Sequence, residues 1–185
     1  MAGSPDPVLQ SVLDAALDAT GATRGWVLAI DDDALALCAI AGAGADLLGH
    51  RVGVNSGFAG FVASSGQPVA MRPRSDDPRG VEGVAALVGE RPLSVLAVPA
   101  GSGEAVHGVI ELVDKHGGGP FSFDDVEIAT LLGNVAGTAL VAASAAPVAA
   151  PSPTELGSRL ARLAASDPAR YLPLAQFLAD VLADD

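Results

Sequence analysis

Apolar and polar residues follow two rhythms along this chain, and their order predicts a layered α+β domain. Leu9, Leu13, Ala16 and Leu17 recur at helical spacing. Asp6-Pro7 ahead of them supplies an N-cap and a first-turn proline, and Gly21 ends the helix. Residues 26–30 and 35–40 are strand-like and flank Asp31-Asp32-Asp33, which reads as the turn of a hairpin. Gly42 and Gly44 break the return strand. Ser56 can cap a short helix over 57–65, where Phe58, Phe61 and Val62 share a face. A short strand follows at 68–71. Residues 72–92 form a long loop with one turn of helix at 84–88. Residues 93–98 and 105–113 form a second hairpin around Gly101 and Gly103, its first strand stopped by Pro99. Ser122 or Asp124 starts a long helix over 123–143.

Beyond that helix the pattern changes. Residues 145–153 are Ala- and Pro-rich and read as a stiff linker. Residues 154–185 carry two amphipathic stripes, Leu156, Leu160 and Leu163, then Tyr171, Leu174, Leu178 and Val181, separated by a restart at Ser166-Asp167-Pro168. A segment of about 30 residues cannot bury both stripes on its own, so it is expected to dock on something. The expected organisation is a domain over 1–144, the linker, and a helical extension over 154–185.

Half of the residues are hydrophobic but only 4% are aromatic, so the core must be built from Ala, Val, Leu and Ile. A formal charge of −12 repels phosphate, which argues against nucleic-acid and anionic-membrane partners. Residues 128–150 carry no charged side chain and include the small-residue spacing of Gly133 and Gly137. Asn134, Thr138 and Ser144 interrupt them, no Lys or Arg flanks them closely, and soluble packing is the expected outcome. Cys38 is the sole cysteine, so no internal disulfide forms. With no basic or apolar run at the start of the sequence, a cytoplasmic location is expected.

Four segments carry a family resemblance: Gly53 to Val69, with glycines at 57, 60 and 66 and the Gln67-Pro68 pair; Ser94 to Pro99; Val106 to Lys115; and Phe121 to Asp125. Their order resembles the GAF domain, a small regulatory module. The resemblance covers about residues 7–143. It implies a six-stranded antiparallel sheet with the N- and C-terminal helices on one face and a pocket or lid segment on the other, followed here by a C-terminal helical hairpin. Residues 66–69 and 75–79 look like the lid. A cyclic-nucleotide-binding subset of the family carries an Asn-Lys…Phe…Asp-Glu signature. The matching positions here are Asp114, Lys115, Phe121, Asp125 and Val126, so two of the five differ. The resemblance implies a structural ion pair between Lys115 and Asp125. It implies no covalent bilin, since no cysteine follows Cys38. Methionine sulfoxide reduction, which some GAF-fold proteins perform with paired cysteines, lacks its resolving partner.

The candidate sites are few. His50, His107 and His116 show no metal-ligand spacing, and no metal or other cofactor is expected. No Gly-Lys-Ser/Thr phosphate loop and no Gly-x-Ser-x-Gly elbow occurs. Four of the ten basic residues, Arg72, Arg74, Arg79 and Arg91, fall in one loop. They either pair with the neighbouring acids or face an anion over the pocket. Phe58 and Phe61 are an apolar wall or ordinary core. Glu111 alternates with Val109 and Val113 against Ile110 and Leu112, so it faces solvent or anchors a pocket. The pocket candidates are therefore Phe58, Phe61, Asp76, Arg79 and Glu111, with an unidentified small molecule as ligand.

The expected function is that of a non-enzymatic sensory or regulatory domain that binds a small molecule or signals through a homodimer and protein partners. The bare helix face of Ala129, Gly133, Gly137 and Val141 is the expected dimer contact, and Tyr171, Leu174, Phe177 and Leu178 the expected partner contact. The competing expectation is a ligand-free dimeric adaptor that docks its partner through those C-terminal helices.

Overall fold

The computed structural model describes residues 6–42, 44–102, 105–145 and 153–183. The chain divides into two units, Met1–Ala145 and Ala146–Asp185.

The first unit is built on six strands: β1 (Ala22–Asp31), β2 (Ala34–Ala41), β3 (Arg51–Gly53), β4 (Val69–Met71), β5 (Val95–Ser102) and β6 (Ala105–Lys115). They form one sheet in the order β3-β2-β1-β6-β5-β4, and every neighbouring pair is antiparallel. The β1–β2 hairpin turns on Asp32 and Asp33, and Asp32 takes a positive φ of 54° that a short polar side chain tolerates.

Alternation along the strands gives the sheet two apolar faces. Val27, Leu96, Val98, Ile110 and Leu112 point to one side, where they meet Leu9, Leu13 and Ala16 of α1 (Pro7–Thr20) and Ala129, Ala136 and Leu140 of α4 (Phe123–Ala145). Trp26, Leu28, Leu37, Val95, Val109 and Val113 point to the other. There they meet Phe58, Ala59 and Val62 of α2 (Gly57–Ser65) and Val84 of α3 (Val84–Val88).

The helix ends follow from local chemistry. Asp6 accepts hydrogen bonds from Val8 N at 2.8 Å and Leu9 N at 3.1 Å, and Gly21 closes α1 in the left-handed region. At α4, Asp125 N donates to Ser122 Oγ at 3.2 Å while Ser122 N donates to Asp125 Oδ2 at 2.6 Å, a reciprocal cap.

Residues 51–53, to which the sequence pattern assigned no element, form edge strand β3 against residues 34–36. Two expectations need correction. Pro99 does not stop β5, which runs on to Ser102. Strand β4 pairs β5 only as far as Ala97, so beyond it β5 has an open edge where a residue without an N–H is tolerated. The second concerns α4. By length and composition Phe123–Ser144 could cross a membrane, with a mean hydropathy of 1.6. Here α4 lies on the sheet instead, and its small residues are spent there: Ala129 is fully buried, Gly133 abuts Pro99 O and Gly137 abuts Gly101. That stripe is an internal contact and not the free dimer face expected from its bareness. The large apolar residues that α4 leaves exposed are Phe123, Ile128, Leu131, Val135 and Val141.

The second unit contains α5 (Pro153–Ser166) and α6 (Pro168–Ala183). Asp167 separates them and accepts a hydrogen bond from Arg170 N at 3.2 Å. Tyr171 is half-buried and Leu174 exposed; the side chains of Phe177 and Leu178 and most of the linker lie outside the described residues.

Candidate functional site

The lid side of the sheet gathers the unusual chemistry. Glu111 sits on central strand β6, opposite Trp26 on β1 and Ala97 on β5. It is 4% exposed and Trp26 is 2% exposed. Burial pushes the Glu111 carboxyl up to about 7, against the opposing pull of the Trp26 indole N–H and the Ala59 backbone N–H. Trp26 Nε1 is itself buried and completes no hydrogen bond among the described residues. Both observations fit an indole N–H that comes near enough to Glu111 to act electrostatically without good hydrogen-bond geometry. Ala59 lies in the first turn of α2, so the start of that helix stands over the Glu111 carboxyl.

Ser56 does not cap α2 with its side chain. Its Oγ accepts a hydrogen bond from Gly83 N at 2.9 Å, which ties the start of α2 to the start of α3. The five-residue α3 is bounded by Gly83 at φ 61°, ψ −135° and Gly89 at φ 69°, both conformations that favour glycine. Just past α3, Glu90 pairs with Arg24 of β1, and Arg24 also pairs with Asp114 at the end of β6. Asp114 accepts a further hydrogen bond from Leu93 N at 2.7 Å while holding a positive φ of 59°. One guanidinium therefore fastens the lid's exit to two strands. Beneath it, Trp26, Glu111, Ala85, Val88 and Val113 help line a cavity of only about 10 Å³, close to the smallest space that holds one water.

The pocket candidates separate into two groups. Phe58 is buried under α2 on the same side as Glu111. Phe61 is 42% exposed, and Arg79 lies across both rings, 4.9 Å from the Phe58 centroid and 5.7 Å from that of Phe61. Asp77 fixes Arg79 by bonds of 3.0 and 2.8 Å, and that pairing holds the Asp77 carboxyl below its ordinary range. Arg79 is thus a packed surface clamp. Asp76 turns to exposed Arg74 at 3.1 Å and does not join the pocket. Arg91 Nη1 donates to Ser75 O, and Arg72, Arg74 and Arg91 line an open groove of about 240 Å³.

At the family-signature positions, the Lys115 ammonium pairs with the Asp125 carboxylate and stands 5.8 Å from the Phe121 centroid. Burial alone would raise the Asp125 carboxyl, but Lys115 and Ser122 outweigh it and hold it low. Cys38 is half-buried and its thiol is pushed up, chiefly by burial.

Sequence reasoning passed over Arg24 and Trp26 as site residues and took Glu90 for a local partner of the loop arginines, whereas it pairs with Arg24. The signal was period-two alternation, which sets Arg24 and Trp26 on the face that Glu111 shares. No local pattern says that Glu90, 66 residues away, would meet Arg24.

The family model of the GAF domain matches residues 2–141. The chain belongs to the GAF domain family. GAF domains are generally sensory or regulatory modules. Solved structures share the fold. The GAF domain of an Acinetobacter phosphoenolpyruvate-protein phosphotransferase is 22% identical with a TM-score of 0.64, covering 75% of this chain and 82% of that one. The GAF-B domain of DevS from Mycobacterium smegmatis is 24% identical with a TM-score of 0.59, covering 76% and 96%. A free methionine-R-sulfoxide reductase from Neisseria meningitidis, in complex with its substrate, is 19% identical with a TM-score of 0.58, covering 74% and 77%. The fold is therefore common to sensory domains and to an enzyme. The search of curated proteins finds no match to this chain.

Proposed function

We propose that this GAF domain is a cytoplasmic regulatory module that takes a small molecule on the lid side of its sheet and passes the change to other proteins, without chemistry of its own. The observation that carries the reading is the buried Glu111–Trp26 pair, a carboxyl beside an indole N–H that completes no hydrogen bond among the described residues, beneath a glycine-bounded, ion-pair-fastened lid. Cys38 speaks for the non-enzymatic reading, as it is the chain's sole cysteine and its thiol is raised rather than activated. A thermal-shift screen of nucleotides, small carboxylates and heterocycles tests it. At least one class is expected to raise the melting point, since ligand well above its dissociation constant stabilises the native state. A screen in which every class leaves it unchanged counts against the reading.

Self-association belongs to the same proposal, through the outer face of α4 and not its glycine stripe. Leu131 is 68% exposed and Val135 50% exposed, and an apolar trough of about 490 Å³ runs between Val8 of α1 and Ala142 of α4. Light scattering is expected to give a dimer that Leu131→Glu dissociates; a wild-type monomer at micromolar concentration removes the idea.

The competing reading is a ligand-free adaptor. The small volume of the space beneath α3 favours it, as does the exposed Leu174 on α6. Its partner would dock on Tyr171, Leu174, Phe177 and Leu178. Deleting residues 150–185 separates the two: an adaptor loses its partner, whereas a sensor keeps its thermal-shift response.

A further inference from the structure

We propose that the site beneath α3 admits a compact neutral amide-type group, with C=O and N–H side by side as in a carboxamide or lactam, and that α3 opens on its two glycines to let it in. The inference rests on the ligand-binding reading above and names the chemistry of that site.

The two polar groups at the cavity decide the class. The Trp26 indole N–H can only donate, it is buried, and it completes no hydrogen bond among the described residues. Any occupant must offer it an acceptor. The Glu111 carboxyl, when ionised, can only accept, so the occupant must offer it a donor. An ammonium brings three donors and no acceptor, and leaves the indole unserved. A carboxylate brings only acceptors, so above about pH 7, where Glu111 is ionised, it offers no donor and adds a second negative charge beside it. Among the described residues the one cation lining the cavity, Arg24, is already committed to Glu90 and Asp114 and does not offset it. Glu90 also lines the cavity, and Glu82 points to the start of α2, 3.4 Å from Gly57 N. The charged groups around the site are thus acidic or neutralised. An amide serves both groups at once, and being neutral it is inexpensive to move into the apolar surroundings of Ala85, Val88 and Val113.

Access requires movement. The space is about 10 Å³, too small for more than one water. Gly83 and Gly89 flank α3, and the Arg24–Glu90 pair fastens its exit. That pair is the latch, and weakening it should lower the cost of opening.

Trp26 is the only tryptophan, so its emission reports the site directly. At pH 8, where Glu111 is ionised, the protein is titrated with benzamide, benzoate and benzylammonium, three probes of one shape and different polar groups, followed by Trp26 fluorescence and by melting temperature. Benzamide is expected to change the emission saturably, with a dissociation constant about tenfold or more below those of the other two, the penalty for an unserved buried polar group. Arg24→Met is expected to tighten benzamide binding severalfold, and Trp26→Phe, followed by melting temperature, to weaken it by about tenfold. Equal affinity for all three probes, preference for a charged one, or silence from all three overturns the assignment, and an unchanged Arg24→Met affinity overturns the latch. If the probes are silent while the broader screen finds another ligand, only this inference falls. If both are silent, the sensory reading falls with it.

Discussion

Gly137 of α4 lies so close to Gly101 of β5 that a Cβ at Gly137 would stand 2.1 Å from Gly101 O. Gly133 repeats the approach one turn earlier, at 2.5 Å from Pro99 O. The obstacle in each case is backbone, which cannot swing aside like a side chain. These contacts turn a stripe that resembles a helix-pairing motif into the seam between α4 and the sheet.

Gly137→Ala is therefore expected to destabilise the domain by about 1–3 kcal/mol, the usual cost of overpacking, despite the better helix propensity of alanine. Denaturant unfolding checks it. A variant as stable as the parent, or more so, would mean that α4 stands off the sheet.

Glu111 should make stability fall as pH rises. Its carboxyl moves from an ordinary 4.5 to about 7 on folding, so between those values the native state holds a proton that the unfolded chain has released. The Glu111 contribution is complete below 4.5 and is lost as pH rises up to and through about 7, by about 3 kcal/mol in all. Glu111→Gln lacks this dependence, so its stability relative to the parent should improve from pH 4.5 to pH 8. A gap between the two proteins that does not vary with pH would exclude a buried, titrating carboxyl.

Asp125 acts in the opposite sense. Lys115 and Ser122 hold its carboxyl below the ordinary 3.8, so its contribution is complete above that value and is lost as pH falls through the lower, native one. Asp125→Asn at neutral pH is expected to cost about 1–3 kcal/mol, because it breaks both the Lys115 pair and half of the reciprocal cap. The difference from the parent should shrink in the acid range. A difference that persists unchanged at pH 3 would assign the loss to packing alone.

Arg24 should control local rather than global order. Removing its guanidinium frees Glu90 and one oxygen of Asp114, while the sheet register of β1 against β6 is left in place. In Arg24→Met, amide exchange is expected to accelerate over residues 83–90, with little change over 95–102 and 105–115. Uniform acceleration over the whole domain would show that Arg24 holds the sheet together, not the lid.

Much of the architecture was legible because it is written in short-range chemistry. Asp6-Pro7, Gly21 and the alternation of Val109, Glu111 and Val113 need only neighbours in sequence to act. The site was less legible. Glu111 stood out as a carboxylate in an apolar strand, but its two possible settings, water or core, differ only in what covers that face. Arg79 and Asp76 looked alike as charged loop residues; one became a clamp over two aromatic rings and the other an exposed partner for Arg74.

By itself the sequence determined the α+β layering, the hairpins, the helix ends and the face on which Glu111 lies, because periodicity and capping depend on residues a few positions apart. Only the tertiary structure decided that α2 and α3 close over Glu111 and Trp26, that Arg24 reaches across 66 positions to Glu90, and that Gly133 and Gly137 are consumed against β5. Those outcomes depend on which distant surfaces meet, and burial, not residue type, sets the chemistry of a carboxylate or the use of a bare glycine.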